Sequence, residues 1–293
     1  MDQAALLNDP RAALAHTLQH LLGATSEARA VGALIEQASE GELSDVLARM
    51  SGDECAFGYH PPAALAQRIQ RQVAGAMLTA DSRVENADEL RRVAESSVIL
   101  LPNHLSYADA NVLEMLLHRA GFEALCRRLT VVAGPKVYSE PWRRFSSLCF
   151  GTIKTAQSSQ RASGEARMRP RDVARIAQQT ISCAFERLAA GDALVLFPEG
   201  SRSRSGRLQA LLPAVARYCE RPGTWLVPLG LEGTERLMGL GETRLSPERV
   251  VLRVGTPVLS DELVARCGGH RPRLVEELGR LIAAQLSPEY RPV

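Results

Sequence analysis

The chain has 293 residues, of which 45% are hydrophobic and 23% are charged, and its formal net charge is +2. This composition is typical of a globular protein with a large core and excludes the disordered and fibrous classes. No apolar run reaches the roughly 18 residues of a membrane span, and the acidic start Met1–Gln3 does not resemble a signal peptide, so we expect a cytoplasmic protein.

The first ninety residues are predicted to form a small N-terminal helical domain, residues 1–90. Apolar residues recur at three- and four-residue spacing over Ala4–Leu22, Glu27–Met50 and Ala63–Leu78, without strand-like alternation. This segment carries a net charge of −7, whereas the remainder carries +9. A basic main body would suit an anionic ligand, an acyl carrier protein or a lipid surface, although drift of surface charge explains the difference equally well.

From about residue 91, short apolar runs alternate with helical stretches. The predicted strands are Ser97–Leu101, Leu129–Ala133, Ala193–Phe197, Trp225–Leu231 and Val250–Val254. The predicted helices are Ala108–Ala120, Arg171–Ala190, Leu208–Cys219 and Arg273–Leu286, and the polar stretch Ser158–Arg171 is predicted to be a mobile surface loop. Nearly continuous apolar strands between helices indicate a sheet that is buried on both faces. We therefore predict an α/β domain over residues 91–293, with a mostly parallel central sheet flanked by helices.

A polar turn that contains a histidine and an aspartate follows the first of these strands. His104 and Asp109 lie five positions apart, shortly after the apolar run Val98–Leu101. Asp109 could accept one ring N–H of His104, which would leave the other ring nitrogen as a base for a hydroxyl proton. Alternatively, Ser106 or Asp109 caps the helix that follows, and His104 is an ordinary turn residue.

A second polar turn, Phe197–Arg204, follows another buried strand. The planar guanidinium of Arg202 suits a phosphate, and Gly200 lets the backbone approach a ligand closely. The Ser201 hydroxyl can donate to the same anion, whereas Glu199 would have to orient an arginine or a substrate hydroxyl. The structural alternative is an exposed, solvated loop. Because α/β proteins place their ligand sites at strand ends, the two turns together predict proton abstraction beside a bound phosphate.

The two turns resemble those of a known family. The pattern Asn103-His104-x4-Asp109, followed downstream by Phe-Pro-Glu-Gly-Ser-Arg-Ser, is similar to the glycerolipid acyltransferases, which include glycerol-3-phosphate and lysophosphatidic acid acyltransferases. The resemblance implies that His104 is the general base and that Asp109 orients it. It further implies that the acceptor phosphate is held by Glu199, Gly200, Ser201 and Arg202. The similarity extends over roughly residues 91–260.

Weaker similar segments occur in the same order as in the family. Phe150–Lys154 occupies the place of an acceptor-binding stretch, with Lys154 where arginine is more usual. Val227–Leu231 is similar to an apolar strand that follows the arginine turn in the family. Ala133–Lys136 is similar to the soluble plastid glycerol-3-phosphate acyltransferases, so that Lys136 joins Lys154 as an implied acceptor-binding residue.

The resemblance implies a specific reaction for the predicted catalytic domain, residues 91–293. An acyl group would pass from acyl-CoA or acyl-carrier protein to a hydroxyl of 1-acylglycerol-3-phosphate or glycerol-3-phosphate. The thioester is a co-substrate, no cofactor or metal is expected, and no nucleic acid is expected as a partner. A peripheral contact with the inner membrane surface is compatible with this function. Two alternatives remain open: a thioesterase or other hydrolase that activates water with the same pair, and a non-catalytic protein that binds anionic lipid.

Overall fold

The computed structural model describes residues 10–51, 57–138, 141–156, 168–237 and 245–292. The strands are β1 Gly58–His60, β2 Arg83–Glu85, β3 Val98–Pro102, β4 Leu129–Ala133, β5 Gly151–Lys154, β6 Ala193–Val195, β7 Trp225–Glu232, β8 Val251–Val254 and β9 Val258–Leu259. The helices are α1 Pro10–Leu22, α2 Ser26–Glu36, α3 Glu40–Ser51, α4 Ala64–Ala76, α5 Ala87–Arg91, α6 Asp109–Arg119, α7 Glu123–Cys126, α8 Pro135–Tyr138, α9 Pro141–Ser147, α10 Pro170–Ala189, α11 Val215–Cys219, α12 Ser260–Arg266 and α13 Arg271–Ala283. Short 3₁₀ helices cover Thr234–Arg236 and Pro288–Tyr290. Of the helices in the described ranges, none has both the length and the continuous apolar character that a bilayer crossing requires.

The strands form one mixed sheet with a parallel centre. Its order is β1-β5-β4-β6-β3-β7-β8-β2, and β9 pairs with β7 beside this path. The five central strands from β5 to β7 run parallel, whereas β1, β8 and β9 pair antiparallel with their neighbours β5 and β7. The predicted α/β class with a mostly parallel sheet is therefore confirmed.

The sheet is buried on both faces because successive strand side chains point in opposite directions. In β3, Val98 and Leu100 belong to one hydrophobic cluster together with residues of α1 to α4 and α6. Ile99 and Leu101 belong to a second cluster together with residues of α10 to α13. All four side chains are fully buried, which explains why the sequence of β3 is a continuous apolar run and not an alternating one.

Two strands lie in the first ninety residues, for which the sequence predicts only helices. β1 and β2 are the two ends of the ordered sheet, and each has three residues, too few to show a period-two pattern. The predicted helix Glu27–Met50 is two helices, because Ser39 and Glu42 exchange hydrogen bonds in a capping box that starts α3. The predicted domain boundary at residue 90 stays a prediction.

The predicted helix Leu208–Cys219 is wrong over its first half, since α11 begins only at Val215. The backbone N–H groups in that half are bonded elsewhere: Gln209 donates to the Glu199 carboxylate at 2.7 Å, and Leu212 donates to the Pro198 carbonyl at 2.8 Å. The segment therefore packs along the second polar turn and does not form a helix. Residues 158–167 of the predicted loop Ser158–Arg171 lie outside the described residues.

Asn103 continues the pairing of β3 with β7 beyond the end of β3. β3 includes Pro102, one residue more than the sequence predicts, and Pro102 is in register with Leu229. The fully buried Asn103 side chain then donates to the Leu231 carbonyl at 2.9 Å and accepts from the Leu231 N–H at 2.7 Å. The amide thus takes the place of a backbone partner, and His104 starts its turn from a fixed point.

Close packing of α13 against β7 requires glycine at position 230. A Cβ at Gly230 would lie 2.3 Å from the backbone oxygen of Gln285, which cannot rotate away. We expect Gly230→Ala to lower the free energy of unfolding by about 1–3 kcal/mol, because the helix end must shift. Urea denaturation would measure this.

Gly75 in α4 provides the matched control, since a Cβ there would meet only the Met115 methyl at 3.9 Å. Gly75→Ala should be neutral or stabilising by up to about 1 kcal/mol. Equal effects of the two substitutions would contradict the packing argument.

Candidate active site

The two polar turns meet at one edge of the sheet. β3 and β6 are adjacent parallel strands, so the segments after Pro102 and after Val195 leave the sheet side by side. The turns are joined by their backbones, because the Ser203 N–H donates to the His104 carbonyl at 2.7 Å. The tertiary structure therefore brings together the two segments that lie about 95 residues apart in the sequence.

His104 and Asp109 form a hydrogen-bonded pair. The Nδ1 atom of His104 lies 2.8 Å from Oδ2 of Asp109, and Asp109 is fully buried at the start of α6. A buried carboxylate favours Nδ1–H as the donor, so the second ring nitrogen, Nε2, carries the free lone pair. Nε2 forms no hydrogen bond with any residue that the structure describes. The pair can therefore act as an oriented general base.

Three further donors fix the Asp109 carboxylate. The backbone N–H groups of Leu105 and Ser106 donate to Oδ2 at 2.7 and 3.0 Å, and the Thr234 hydroxyl donates to Oδ1 at 2.5 Å. Thr234 is fully buried and lies two residues after the end of β7, at the start of a 3₁₀ helix. Asp109 also begins the helix, as the structural alternative expects, but its side chain is turned to the histidine turn. The carboxylate thus connects the turn after β3 to the turn after β7.

The His104 ring is held on its face as well as at Nδ1. It packs against the Phe197 ring, with 4.4 Å between ring centroids and an interplanar angle of 31°. Only 14% of the side chain is exposed. Phe197 lies two residues after β6 and starts the second turn, so this contact sets the ring relative to both turns. A ring restrained in this way loses little entropy when it takes a proton in a reaction.

Glu199 connects the backbones of the two turns. Its Oε1 accepts the His104 N–H at 2.6 Å, and its Oε2 accepts the Gln209 N–H at 2.7 Å. The residue is buried, with 1% of its surface exposed. Burial raises the pKa of the Glu199 carboxyl from 4.5 to about 7, although the two backbone N–H groups act in the opposite direction. These contacts bind Glu199 to the backbone of the histidine turn. Its implied role at the acceptor phosphate stays a prediction.

Gly200 is required by the backbone of the second turn. Its φ of +67° lies in the left-handed region, and a Cβ would lie 2.1 Å from Cδ1 of Leu212. Leu212 belongs to the segment that the sequence predicts to be helical. Gly200 therefore allows that segment to pack directly against the turn, and Ser201 and Arg202 follow it at the surface.

A cavity of about 1100 Å³ lies beside the histidine turn. Leu105 to Ala108 form part of its wall, and the other charged and polar residues of the wall include three arginines, two glutamates, tyrosines and serines. There the Tyr107 ring lies 4.0 Å from the Arg143 guanidinium and 4.9 Å from that of Arg202. Another part of the wall is apolar and consists of Leu21, Val73, Met77, Phe145, Leu237 and Leu245. The cavity can therefore hold an anionic group and an apolar group together.

The two lysines lie on elements other than those that carry this pair. Lys154 is buried at the end of β5, which β4 and β6 separate from β3, so it lies about 14 Å along the sheet at the usual strand spacing. Its ammonium is 5.2 Å from the Tyr138 ring. Lys136 is exposed on α8, and neither lysine belongs to the cavity wall. Their implied contact with the acceptor stays a prediction.

Sequence reasoning missed three residues of the site: Tyr107, Arg143 and Thr234. Tyr107 stands inside the histidine turn, and its position between two arginines depends on the fold of α9. Thr234 follows the strand that contains Val227–Leu231, and its position after a third strand end could have indicated a site residue. No sequence spacing indicates that its hydroxyl reaches Asp109.

Comparison with known proteins gives a family match and matches among the solved structures. The family described as Acyltransferase matches residues 81–232, just over half of the chain. No curated protein matches the chain. Among solved structures, the chain is similar to the crystal structure of the 1-acyl-sn-glycerophosphate (LPA) acyltransferase, PlsC, from Thermotoga maritima. The two share 16% sequence identity over 74% of this chain and 75% of that chain, with a TM-score of 0.49. The family match includes both polar turns.

The raised pKa of Glu199 predicts a pH dependence of stability. The folded protein holds the Glu199 proton more tightly than the unfolded chain does. Its contribution to stability is therefore complete below pH 4.5 and is lost as the pH rises to about 7. Glu199→Gln cannot titrate, so the fall in unfolding free energy across this range should be smaller than in the wild type. Urea denaturation at a series of pH values would measure it.

Glu262, an exposed carboxylate on α12, supplies the control for this measurement. Glu262→Gln should keep the wild-type slope. The assignment to Glu199 fails if Glu199→Gln also keeps the full slope. We further expect Glu199→Gln to be less stable by about 1–3 kcal/mol at its most stable pH, because a carboxamide has only one acceptor oxygen for the two N–H groups.

Proposed function

The chain belongs to the acyltransferase family, and we propose that it moves a fatty acyl group from an acyl thioester to a hydroxyl of a glycerol-phosphate acceptor. The donor is acyl-CoA or acyl-carrier protein, and the acceptor is 1-acylglycerol-3-phosphate or glycerol-3-phosphate. One observation carries the proposal: the pair formed by His104 and the fully buried Asp109, which is held by three further donors. A protein that only binds lipid has no need of an oriented base.

In the proposed reaction, Nε2 of His104 takes the proton of the acceptor hydroxyl. The hydroxyl oxygen attacks the thioester carbonyl carbon, a tetrahedral oxyanion forms, and the carbon–sulfur bond then breaks. The proton passes from the imidazolium to the leaving thiolate, so the products are an ester and a free thiol. General-base catalysis of this kind contributes roughly 10² to 10⁴ in rate. Asp109 stabilises the imidazolium that forms in between.

The oxyanion needs hydrogen-bond donors other than the N–H groups of His104, Leu105 and Ser106. The N–H groups of Leu105 and Ser106 donate to Asp109, and that of His104 donates to Glu199. All three therefore serve to build the turn. The side chains of Ser106 and Tyr107 line the cavity, and their hydroxyl groups can donate to the oxyanion.

The polar part of the cavity is the proposed site for the acceptor phosphate. Arg202 and Arg204 are exposed there, and Arg202 lies against the same tyrosine ring as Arg143. A guanidinium presents a planar pair of donors that matches a phosphate. If the acceptor is a lysophospholipid, these arginines would also favour peripheral contact with an anionic membrane surface.

The apolar part of the cavity is the proposed site for the acyl chain. Leu21 comes from α1, Val73 comes from α4, and Met77 directly follows α4. The N-terminal helices thus complete a wall that the α/β part alone would leave open. Burial of an acyl chain against this wall would contribute about 0.8 kcal/mol for each methylene group.

We expect His104→Ala to lower the rate of acyl transfer at least about a hundredfold without loss of the fold, because the base is removed. Asp109→Asn should lower kcat strongly as well, since an amide cannot stabilise the imidazolium. Purified variants assayed with labelled acyl-CoA or acyl-carrier protein and each acceptor would show this, with the lipid product identified.

His270→Ala, at an exposed histidine before α13, is the matched control and should keep wild-type activity. A His104→Ala variant with more than about a tenth of wild-type activity would rule out the general-base assignment. Thioester cleavage at a rate independent of every acceptor would instead indicate a hydrolase that activates water.

Arg202→Ala is expected to raise the KM for the acceptor about ten- to a hundredfold with a smaller change in kcat, because one charged hydrogen-bonding partner is lost. Steady-state kinetics with varied acceptor would measure both constants. Arg280→Ala, on the exposed side of α13 beside Glu277, is the control for loss of one positive charge. An unchanged acceptor KM in Arg202→Ala would show that the phosphate binds elsewhere.

A further inference from the structure

We propose that the acyl donor carries a hydroxyl group close to its thioester carbonyl, and that the side chains of Asn111 and Gln70 select it. The inference rests on the acyl transfer proposed above. It follows from a buried polar cluster, defined as Gln70, Asn111 and Ser146, which forms part of the wall of the cavity beside apolar residues. The cluster lies on three different helices, α4, α6 and α9.

The cluster is held rigidly by its own hydrogen bonds. The Nε2 group of Gln70 donates to the Asn111 carbonyl at 3.1 Å and to the Glu114 carboxylate at 2.7 Å. Both of its protons are therefore used, which directs Oε1 of Gln70 to the Asn111 amide, with 3.3 Å between Oε1 and Nδ2. The Ser146 hydroxyl donates to Oδ1 of Asn111 at 2.5 Å. These contacts determine which end of each amide faces which neighbour.

The cluster keeps hydrogen-bonding capacity for a ligand. Asn111 Nδ2 carries two protons, and one of them is directed to Gln70. Asn111 Oδ1 and Gln70 Oε1 can each accept a second hydrogen bond beyond the contacts described above. The residues are deeply buried, with 3% of Gln70 and 7% of Asn111 exposed. A hydroxyl can both donate to such an oxygen and accept from the amide proton, so it is the simplest group that fits.

The position of the cluster indicates where the hydroxyl lies on the acyl chain. Tyr107, Ala108 and Asn111 all belong to the cavity wall, and Asn111 follows the other two by three and four residues at the start of α6. Ala108 directly precedes α6, so about 5 Å separates Asn111 from the histidine turn along the helix axis. A chain whose carbonyl lies at that turn would bring its first few carbons past Asn111.

Beyond Gln70, on the side away from Asn111, the cavity wall is apolar. Gln70 and Val73 lie on one face of α4, and Met77 continues that line about 10 Å beyond Gln70. Along the cavity, the wall is thus charged near the arginines, carries the amide groups of Asn111 and Gln70 next, and is apolar beyond them. This order matches a thioester whose chain carries a hydroxyl near the carbonyl and is a plain hydrocarbon further out.

An unsubstituted chain would be a poor fit beside the cluster. It would cover the amide groups of Asn111 and Gln70 and exclude water, and it would offer them no hydrogen bond in exchange. Sites that hydrogen-bond a substrate hydroxyl reject analogues without it much more strongly than apolar pockets reject an added hydroxyl. The cluster should therefore select the hydroxylated chain.

The test is a competition between two donors of equal chain length. Purified full-length protein is given 3-hydroxytetradecanoyl-CoA and tetradecanoyl-CoA together, with glycerol-3-phosphate or 1-acylglycerol-3-phosphate as acceptor, and the two lipid products are quantified. We expect the ratio of kcat/KM to favour the hydroxylated donor by about tenfold or more. Asn111→Leu should bring this ratio close to one, and Ser146→Ala should lower it.

Two controls separate selection from a purely structural role of the cluster. Val73→Ala enlarges the apolar part of the cavity on α4, the helix that also carries Gln70. This variant should keep the wild-type ratio of kcat/KM, even if the rates with both donors change. A structural role would lower the melting temperature of Asn111→Leu and leave the ratio as in wild type, and that outcome overturns the proposal.

The ratio of kcat/KM for the two donors, measured with the wild-type protein, tests the proposal without any variant. Equal use of the two donors, or preference for tetradecanoyl-CoA, overturns the selection of a hydroxylated chain and leaves the acyl transfer standing. Absence of transfer from both donors to both acceptors, with each donor also tried on acyl-carrier protein, overturns the proposed function and this inference with it.

Discussion

The buried carboxylate of Asp109 is the contact on which the arrangement of the site depends. It accepts four hydrogen bonds, from the His104 ring, from two backbone N–H groups of the turn and from Thr234. A fully buried carboxylate is costly unless such donors surround it, so the fold must bring the turn after β3 and the turn after β7 together. The same set of donors that stabilises the charge also gives the histidine ring one orientation and one tautomer.

A second buried carboxylate, Glu199, acts on the backbone and not on the ring. It accepts N–H groups from His104 and Gln209, and it thereby attaches the histidine turn to the segment that follows the arginine turn. The two carboxylates have different surroundings: Asp109 is held by four donors, whereas burial raises the pKa of Glu199 to about 7. One acidic group thus orients the histidine ring, and the other fixes the backbone from which the ring projects.

The N-terminal helices have a part in the site as well as in the core. They share a hydrophobic cluster with β3 and β7, and they contribute Leu21, Gln70 and Val73 to the cavity wall. Gln70 in turn holds Asn111 on the helix that Asp109 begins. The surroundings of the proposed acyl chain therefore depend on residues outside the segment that the family match covers, residues 81–232.

The amino-acid sequence by itself determined the α/β class, the central strands and the two polar turns, because apolar runs and turn residues are local signals. The sequence also placed His104 and Asp109 in one turn, but only the structure decided between a hydrogen-bonded pair and a helix cap. Other features depend on contacts between distant segments. Thr234 reaches Asp109 across 125 positions, and Gln209 reaches Glu199 in place of joining a helix, so no periodicity in the sequence could show either. The three-residue strands β1 and β2 likewise exist only because the sheet offers them a neighbour. The tertiary structure alone decided these features, because a hydrogen bond between remote residues forms only where the whole chain has placed both partners.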